Sequence, residues 1–348
     1  MTRVRVLVVE DSLTVRRWLC DALARDPGLE IVGEAEDGKR AIELCQELRP
    51  DVVTLDMMLP VMTGIAATEY IMAYCPTPIL VVSASTNRGE LFRTYDALAA
   101  GAVDVLEKPT GTEDDAEWAR KFVDAVKLAA KIRVITHPRA RLRAMAPTAR
   151  DAPPRTDRAP SIVAIGTSTG GPAALVQILA ALPADYPIPL VGVIHLADLF
   201  AVAFAEWLDG QSKHRVRYAR DGEVVGGPGL VLAPADRHLA IVGGRFRLTM
   251  DPPRHSCRPS VDTLFESIAT EYGASATACL LTGMGKDGAR GLLAIRRRGG
   301  FTIAQDEASS VIYGMPREAV ELGAAERVLP LDEIAATLAR LAKAERTP

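Results

Sequence analysis

No apolar run in the 348 residues approaches the ~20 that a bilayer-spanning helix needs, so a conventional transmembrane segment is excluded. Secretion is not expected either. The N-terminal apolar stretch is short and turns acidic at Glu10 and Asp11, where a cleavage site would need small residues. A cytoplasmic location is expected. The five cysteines (Cys20, Cys45, Cys75, Cys257 and Cys279) form no C-x-x-C pair, so neither a zinc spacing nor a disulfide framework is legible, and their odd number suits reduced thiols. Cys257 lies among polar residues and reads as an exposed bystander, because no histidine partner is apparent for it. A net charge of −3 disfavours a nucleic-acid-binding surface spread over the chain. No helix-turn-helix with a basic recognition helix is visible, and Arg296-Arg297-Arg298 is too short a run to replace one.

What is present begins with Gly166-Thr167-Ser168-Thr169-Gly170-Gly171. An apolar run, 161–165, leads into it and a helical pattern, 172–182, leads out. A serine on such a strand-to-helix turn has glycines for close backbone approach and helix N–H groups to receive an oxyanion, which suits a nucleophile. A phosphate-binding turn or an ordinary helix cap would use the same residues. Two further apolar runs narrow the choice, one ending in His195 and one in the glycine-rich turn 282–288 that carries Asp287. Strands ending this way would deliver Ser168, His195 and Asp287 to the C-terminal edge of a parallel sheet. A catalytic triad is the economical reading, and no cofactor is expected in this half.

The N-terminal half alternates strand and helix five times, with strands over 4–9, 29–34, 51–55, 78–82 and 103–106. Helices are expected over 14–24, 39–47, 65–72, 89–100 and 113–130. The pattern predicts a doubly wound five-stranded parallel sheet. Glu10 and Asp11 follow its first strand, Asp56 ends the third, Ser83 ends the fourth and Lys108 follows the fifth, just before Pro109. Crowded carboxylates repel unless a cation joins them, and an all-oxygen set suits Mg²⁺. Asp56 could then accept a phosphoryl group whose oxygens Lys108 and Ser83 would grip. Helix capping is the alternative use for acids at strand ends, and Asp11-Ser12 suits it.

Between the halves, residues 131–160 hold five prolines and eight basic residues against two acidic ones. This reads as a basic, solvated linker, with His137 inside it. The expected organisation is 1–128, a linker over 129–160, and 161–348 as a second α/β domain with a mostly parallel sheet.

Residues 1–128 resemble a response-regulator receiver domain, and 161–348 resemble the catalytic domain of the CheB protein-glutamate methylesterase family. The second resemblance rests on Gly166 to Pro172, Arg258-Pro-Ser-Val-Asp-Thr-Leu-Phe265, Thr282 to Gly288 and Tyr313-Gly-Met-Pro316. It implies Ser168 as nucleophile, His195 as base, Asp287 as orienting acid and the Met284 backbone N–H in the oxyanion hole. The amide of Thr169, beside the nucleophile, is a second candidate donor on geometric grounds. In the receiver, the resemblance implies Asp56 as phosphoacceptor, with Glu10, Asp11 and the Met58 carbonyl as Mg²⁺ ligands. It further implies demethylation and glutamine deamidation of the cytoplasmic helical bundle of a chemoreceptor, a chemotaxis histidine kinase as phosphodonor, and a receiver that covers the Ser168 cleft until phosphorylated. A monomer without nucleic-acid or membrane partners is expected. Arg258 and Asp262 are candidates for the substrate cleft.

Three departures from the family pattern stand out. Leu196-Ala197-Asp198 follows His195 where Met-Pro is usual, Val105 stands where an aromatic switch residue is common, and Glu10 replaces the commoner Asp. His238, expected to open a hairpin strand before Gly243-Gly244, and His255, in a polar loop, are rivals for the base; His214 reads as solvated surface. The competing functions are a small-ester α/β-hydrolase, disfavoured by the order Ser, His, Asp, an esterase of another chemosensory pathway, and a regulator with a nucleic-acid-binding output.

Overall fold

The computed structural model describes residues 3–84, 87–108, 115–132, 134 and 160–343. Pro109, His137 and most of the linker lie outside the described residues. The chain divides into two compact units, residues 1–148 and 149–348.

The first unit runs β1 (Val4–Val9), α1 (Leu13–Ala24), β2 (Leu29–Ala35), α2 (Gly38–Leu48) and β3 (Val52–Leu55). It continues through α3 (Gly64–Tyr74), β4 (Ile79–Ser83), α4 (Arg88–Ala99), β5 (Asp104–Glu107) and α5 (Asp115–Ala129). All five strands pair in parallel in the order β2-β1-β3-β4-β5. Every residue of β3 and β4 is buried, as strands covered by helices on both faces require. Side chains of Ser12, Asp37, Thr63 and Asn87 accept N–H bonds at the starts of α1 to α4, which fixes where each helix begins. Ser12 is thus the cap of α1, and Asp11 is left beside the strand edge. Helix α3 runs past the expected 65–72: Thr63 caps it one residue earlier, and at its end the rings of Tyr70 and Tyr74 meet in a tilted contact, centroids 4.6 Å apart. The strand order reverses between β1 and β3, the position at which such sheets open a crevice, and Glu10 and Asp56 follow those two strands.

The second unit begins β6 (Ile162–Thr167), α6 (Gly171–Ala181), β7 (Leu190–Ile194), α7 (Asp198–Ala201) and α8 (Phe204–Gln211). Next come β8 (Val216–Tyr218), β9 (Leu230–Leu232), β10 (His238–Val242), β11 (Arg245–Thr249) and α9 (Val261–Tyr272). It closes with β12 (Ala276–Leu280), α10 (Ala289–Arg297), β13 (Phe301–Gln305), α11 (Met315–Glu321), β14 (Arg327–Leu329) and α12 (Leu331–Lys343). Seven strands form one parallel sheet, ordered β14-β13-β12-β6-β7-β9-β8, and β10 pairs antiparallel with β11 in a separate hairpin. Ile162 and Ala164 of β6 and Val191 and Val193 of β7 alternate onto one face, where they share a core with Leu264, Phe265 and Ile268 of α9 and Leu292 and Ile295 of α10. The central neighbours β12, β6 and β7 therefore end side by side, and Asp287, Ser168 and His195 follow them.

His214 corrects the sequence reading. It is 5% exposed rather than solvated, and burial lowers its pKa against the opposing effect of the Leu182 and Leu179 backbone. Its polar neighbours in sequence do not disclose the α6 end that covers it.

Candidate active site and phosphoacceptor site

Ser168 occupies the turn between β6 and α6, half-buried, with its N–H donating to the Thr282 carbonyl at 3.0 Å. That bond ties the serine turn to the loop after β12. Gly283 makes the approach possible, since a Cβ there would lie 2.7 Å from Ser168 Cβ. Gly170 adopts φ +80°, which glycine tolerates and which turns the chain into α6.

His195 Nε2 lies 3.0 Å from Asp287 Oδ2. Asp287 is 2% exposed and accepts from Ser260 Oγ (2.8 Å), Val261 N (2.7 Å) and Asp262 N (3.0 Å). Its carboxylate thus sits at the N-terminus of α9, where N–H groups and helix dipole favour negative charge. Burial pushes the Asp287 pKa up, but the bonds to His195, Asp262 and Ser260 outweigh it and leave it lowered. For His195, burial acts downward, and the bonds to Asp287 and Cys257 overcome it to raise the pKa to about 9. With Asp287 at Nε2, the nitrogen left to take a proton is Nδ1. Ser168 Oγ makes no hydrogen bond to His195 in this structure. The Met284 N–H has no hydrogen-bond partner among the described residues and follows Gly283, the glycine that lies against Ser168. Thr169 is partly buried beside the serine, its carbonyl accepting from Thr282 Oγ1 at 2.9 Å.

Ser260 is a further residue of this site, absent from the sequence candidates above. It caps α9 and donates to Asp287, and the signal was a serine after proline ahead of the periodic run Val261, Leu264, Phe265, Ile268. Cys257 is half-buried, with Sγ 3.8 Å from His195 Nδ1, so the histidine neighbour that the sequence did not reveal is present.

The rival histidines have other partners. His238 is buried, accepting from Ser260 N at 3.1 Å on Nδ1, with Nε2 3.2 Å from the Pro252 carbonyl. Both its ring nitrogens are used. His255 contacts Asp262 at 3.0 Å with a left-handed backbone, φ +51°. Asp262 is 0% exposed and accepts from Gly291 N at 2.7 Å, so it braces α9 against α10 rather than lining an open cleft as expected. Arg258 pairs with Asp236 and reaches the Met250 and Asp251 carbonyls, engaged with the neighbouring loop. His195→Ala is expected to remove nearly all activity of this site, whereas His238→Ala and His255→Ala, once folded, retain most of it. Turnover by the three variants ranks them, and the reverse order would move the base to another histidine.

In the first unit, Lys108 Nζ lies 2.9 Å from Asp56 Oδ2 and 2.7 Å from Glu10 Oε2. Burial lowers the Lys108 pKa, but the two carboxylates outweigh it and hold it above its ordinary value. Glu10 is 1% exposed, and burial raises its pKa against the attraction of Lys108. Among the described residues its Oε2 has Lys108 as its contact, which leaves a buried carboxylate oxygen with further coordinating capacity. Carboxylate oxygens of Glu10, Asp11 and Asp56 gather within 4.8 Å of one another. Such a donor set fits a hard divalent cation. Ser83 is buried at the end of β4, its carbonyl taking the Lys108 N–H at 2.9 Å. Met58 follows Asp56 by two residues, half-exposed, its sulfur 2.8 Å from Arg93 Nη1.

Residues 163–338 match the family described as CheB methylesterase, and residues 6–117 match the response regulator receiver domain. The protein-glutamate methylesterase/protein-glutamine glutaminase 2 of Anaeromyxobacter dehalogenans (strain 2CP-C) is 44% identical over 340 residues, covering 98% of this chain and 97% of the relative. This chain belongs to the CheB methylesterase family. The corresponding enzyme of Nitrosospira multiformis is 43% identical, with 97% of each chain covered. The crystal structure of the Thermotoga maritima CheB methylesterase catalytic domain superposes with a TM-score of 0.50 at 40% identity, covering 52% of this chain and 98% of that one. Among the described residues, no helix is long and apolar enough to cross a membrane.

Proposed function

We propose that this CheB-family enzyme hydrolyses glutamate methyl esters, and glutamine side-chain amides, on the cytoplasmic part of a chemoreceptor, using Ser168, His195 and Asp287. The observation that carries the assignment is the 3.0 Å Asp287–His195 pair, in which Asp287 follows β12, the neighbour of the strand that carries Ser168, and is held by three donors at the start of α9. Asp287 holds the Nε2 proton and stabilises the imidazolium, so Nδ1 receives the Ser168 proton as Oγ attacks the γ-carbonyl. The hydroxyl turns onto Nδ1 as the ester engages, a contact that often tightens only in the substrate complex. Met284 N–H, with the Thr169 amide, receives the oxyanion. Nδ1 returns its proton to departing methanol, and water then attacks the acyl-serine by the same relay, leaving glutamate and a restored hydroxyl. With glutamine, ammonia leaves instead.

Asp56 is the phosphoacceptor, and Glu10, Asp11, Asp56 and the Met58 carbonyl would hold Mg²⁺. When bound, the ion neutralises charge on the transferring phosphoryl group. Lys108 follows the phosphoryl oxygens away from its present bridge between Glu10 and Asp56, and Ser83 meets them from β4. A chemotaxis histidine kinase is the phosphodonor, and the unphosphorylated receiver restrains the catalytic unit. The working boundaries are a receiver over 1–128, a linker over 129–160 and a catalytic domain over 161–348, in a cytoplasmic monomer.

The assignment is tested by mass spectrometry of a methylated receptor after incubation with the enzyme. Methyl groups should disappear from glutamates and some glutamines should become glutamates. An unchanged receptor, with small esters hydrolysed, would make this a general esterase. Asp56→Ala should keep its basal rate and lose stimulation by a small acyl phosphate; stimulation that persists would place the phosphoacceptor elsewhere.

A further inference from the structure

Cys257 is 62 residues from His195 in sequence, yet its Sγ lies 3.8 Å from His195 Nδ1. A zinc ion binds sulfur at about 2.3 Å and imidazole nitrogen at about 2.0–2.1 Å, so a tetrahedral ion holding both would set them about 3.6 Å apart. The pair already has nearly that separation. Its surroundings have the form of a metal site as well. Metal-bound histidines commonly present the other ring nitrogen to a carboxylate, which fixes the tautomer and raises ligand basicity. Asp287 does this at Nε2, at 3.0 Å. Donor atoms of His195, Cys257 and Asp287 gather within 4.8 Å of one another. The Asp287 oxygens are already engaged by Ser260, Val261, Asp262 and His195, so Asp287 serves as outer partner and the direct donors are one nitrogen and one sulfur.

We propose that Cys257 Sγ and His195 Nδ1 bind a thiophilic divalent ion of the zinc class, which inhibits the enzyme reversibly by occupying the nitrogen that should take the Ser168 proton. Binding forms one metal–sulfur and one metal–nitrogen bond and releases to solvent the thiol proton and, where His195 is protonated, the Nδ1 proton as well. Both residues are only partly buried, so the pair is not sealed from solvent. Inhibition rests on His195 being the base; the metal site does not.

Co²⁺, added to the full-length protein with excess Mg²⁺ present, reads the site without any assay of activity. A thiolate-to-cobalt charge-transfer band is expected, and both Cys257→Ser and His195→Ala should lose it, with circular dichroism reporting that each is folded. A band that survives in either variant, or cobalt binding without a band, as at the His255–Asp262 cluster, overturns the proposal. Zn²⁺ inhibition of methanol release supplies an independent arm, each protein being compared with its own metal-free rate. The half-inhibiting Zn²⁺ concentration should rise in Cys257→Ser by no less than the ~10–100-fold that loss of an outer-shell partner costs. Equal sensitivity in the two proteins would also overturn it.

Discussion

Ser168→Ala is expected to lower methanol release by ~10⁴-fold or more while the fold persists. The hydroxyl lies on a turn held by backbone bonds, Ser168 N to the Thr282 carbonyl and Gly171 N to the Ser168 carbonyl, and neither depends on the side chain. Gly283 already packs closely against the Cβ that alanine keeps. Removing Oγ therefore deletes the nucleophile and little else. Steady-state kinetics on methylated receptor, with thermal melting alongside, check this. Turnover near that of the unmodified enzyme would remove Ser168 from the mechanism and turn attention to Cys257, the other nucleophile within reach of His195.

Asp287→Asn is expected to cost about 10⁴-fold in kcat with little change in KM. The amide oxygen of an asparagine can replace Oδ1 as acceptor from Ser260 Oγ and Asp262 N. Its NH₂ group then faces the Val261 N–H and His195 Nε2, where the carboxylate had accepted from both. Two donors meet at Val261, costing about 1–3 kcal/mol. At His195 the proton is forced onto Nδ1, the nitrogen that should be empty. Asp287 is 2% exposed, so substrate affinity has little reason to respond. A rise in KM alone would instead make Asp287 a substrate-recognition residue. The same carboxylate contributes to acid stability. Its folded pKa is lowered, so its stabilisation is present above the unfolded value and is lost as pH falls through the folded one.

Strand-end positions were legible because period and turn chemistry are local. The runs before Ser168, His195 and Asp287 became β6, β7 and β12, adjacent in the sheet, and the five strands of the first unit appeared with no end shifted by more than one residue. What escaped notice depends on contacts across long stretches of chain. Cys257 reads as a polar-loop thiol until that loop folds over His195. His214 reads as surface until the end of α6 covers it. Asp262 reads as a cleft acid, although the helix that follows Ser260 turns it inward to Gly291. Ser260 was the exception, since its capping pattern is local; the carboxylate it anchors, 27 residues away, is not.

The central claim is that phosphorylation at Asp56 governs ester hydrolysis at Ser168 within one chain. Its most direct test is volatile methanol collected from tritium-methylated receptor membranes incubated with the full-length protein, with and without a phosphodonor. The account predicts methanol release in both cases and a faster rate with the phosphodonor. No methanol in either case, or a rate indifferent to the phosphodonor, would contradict it.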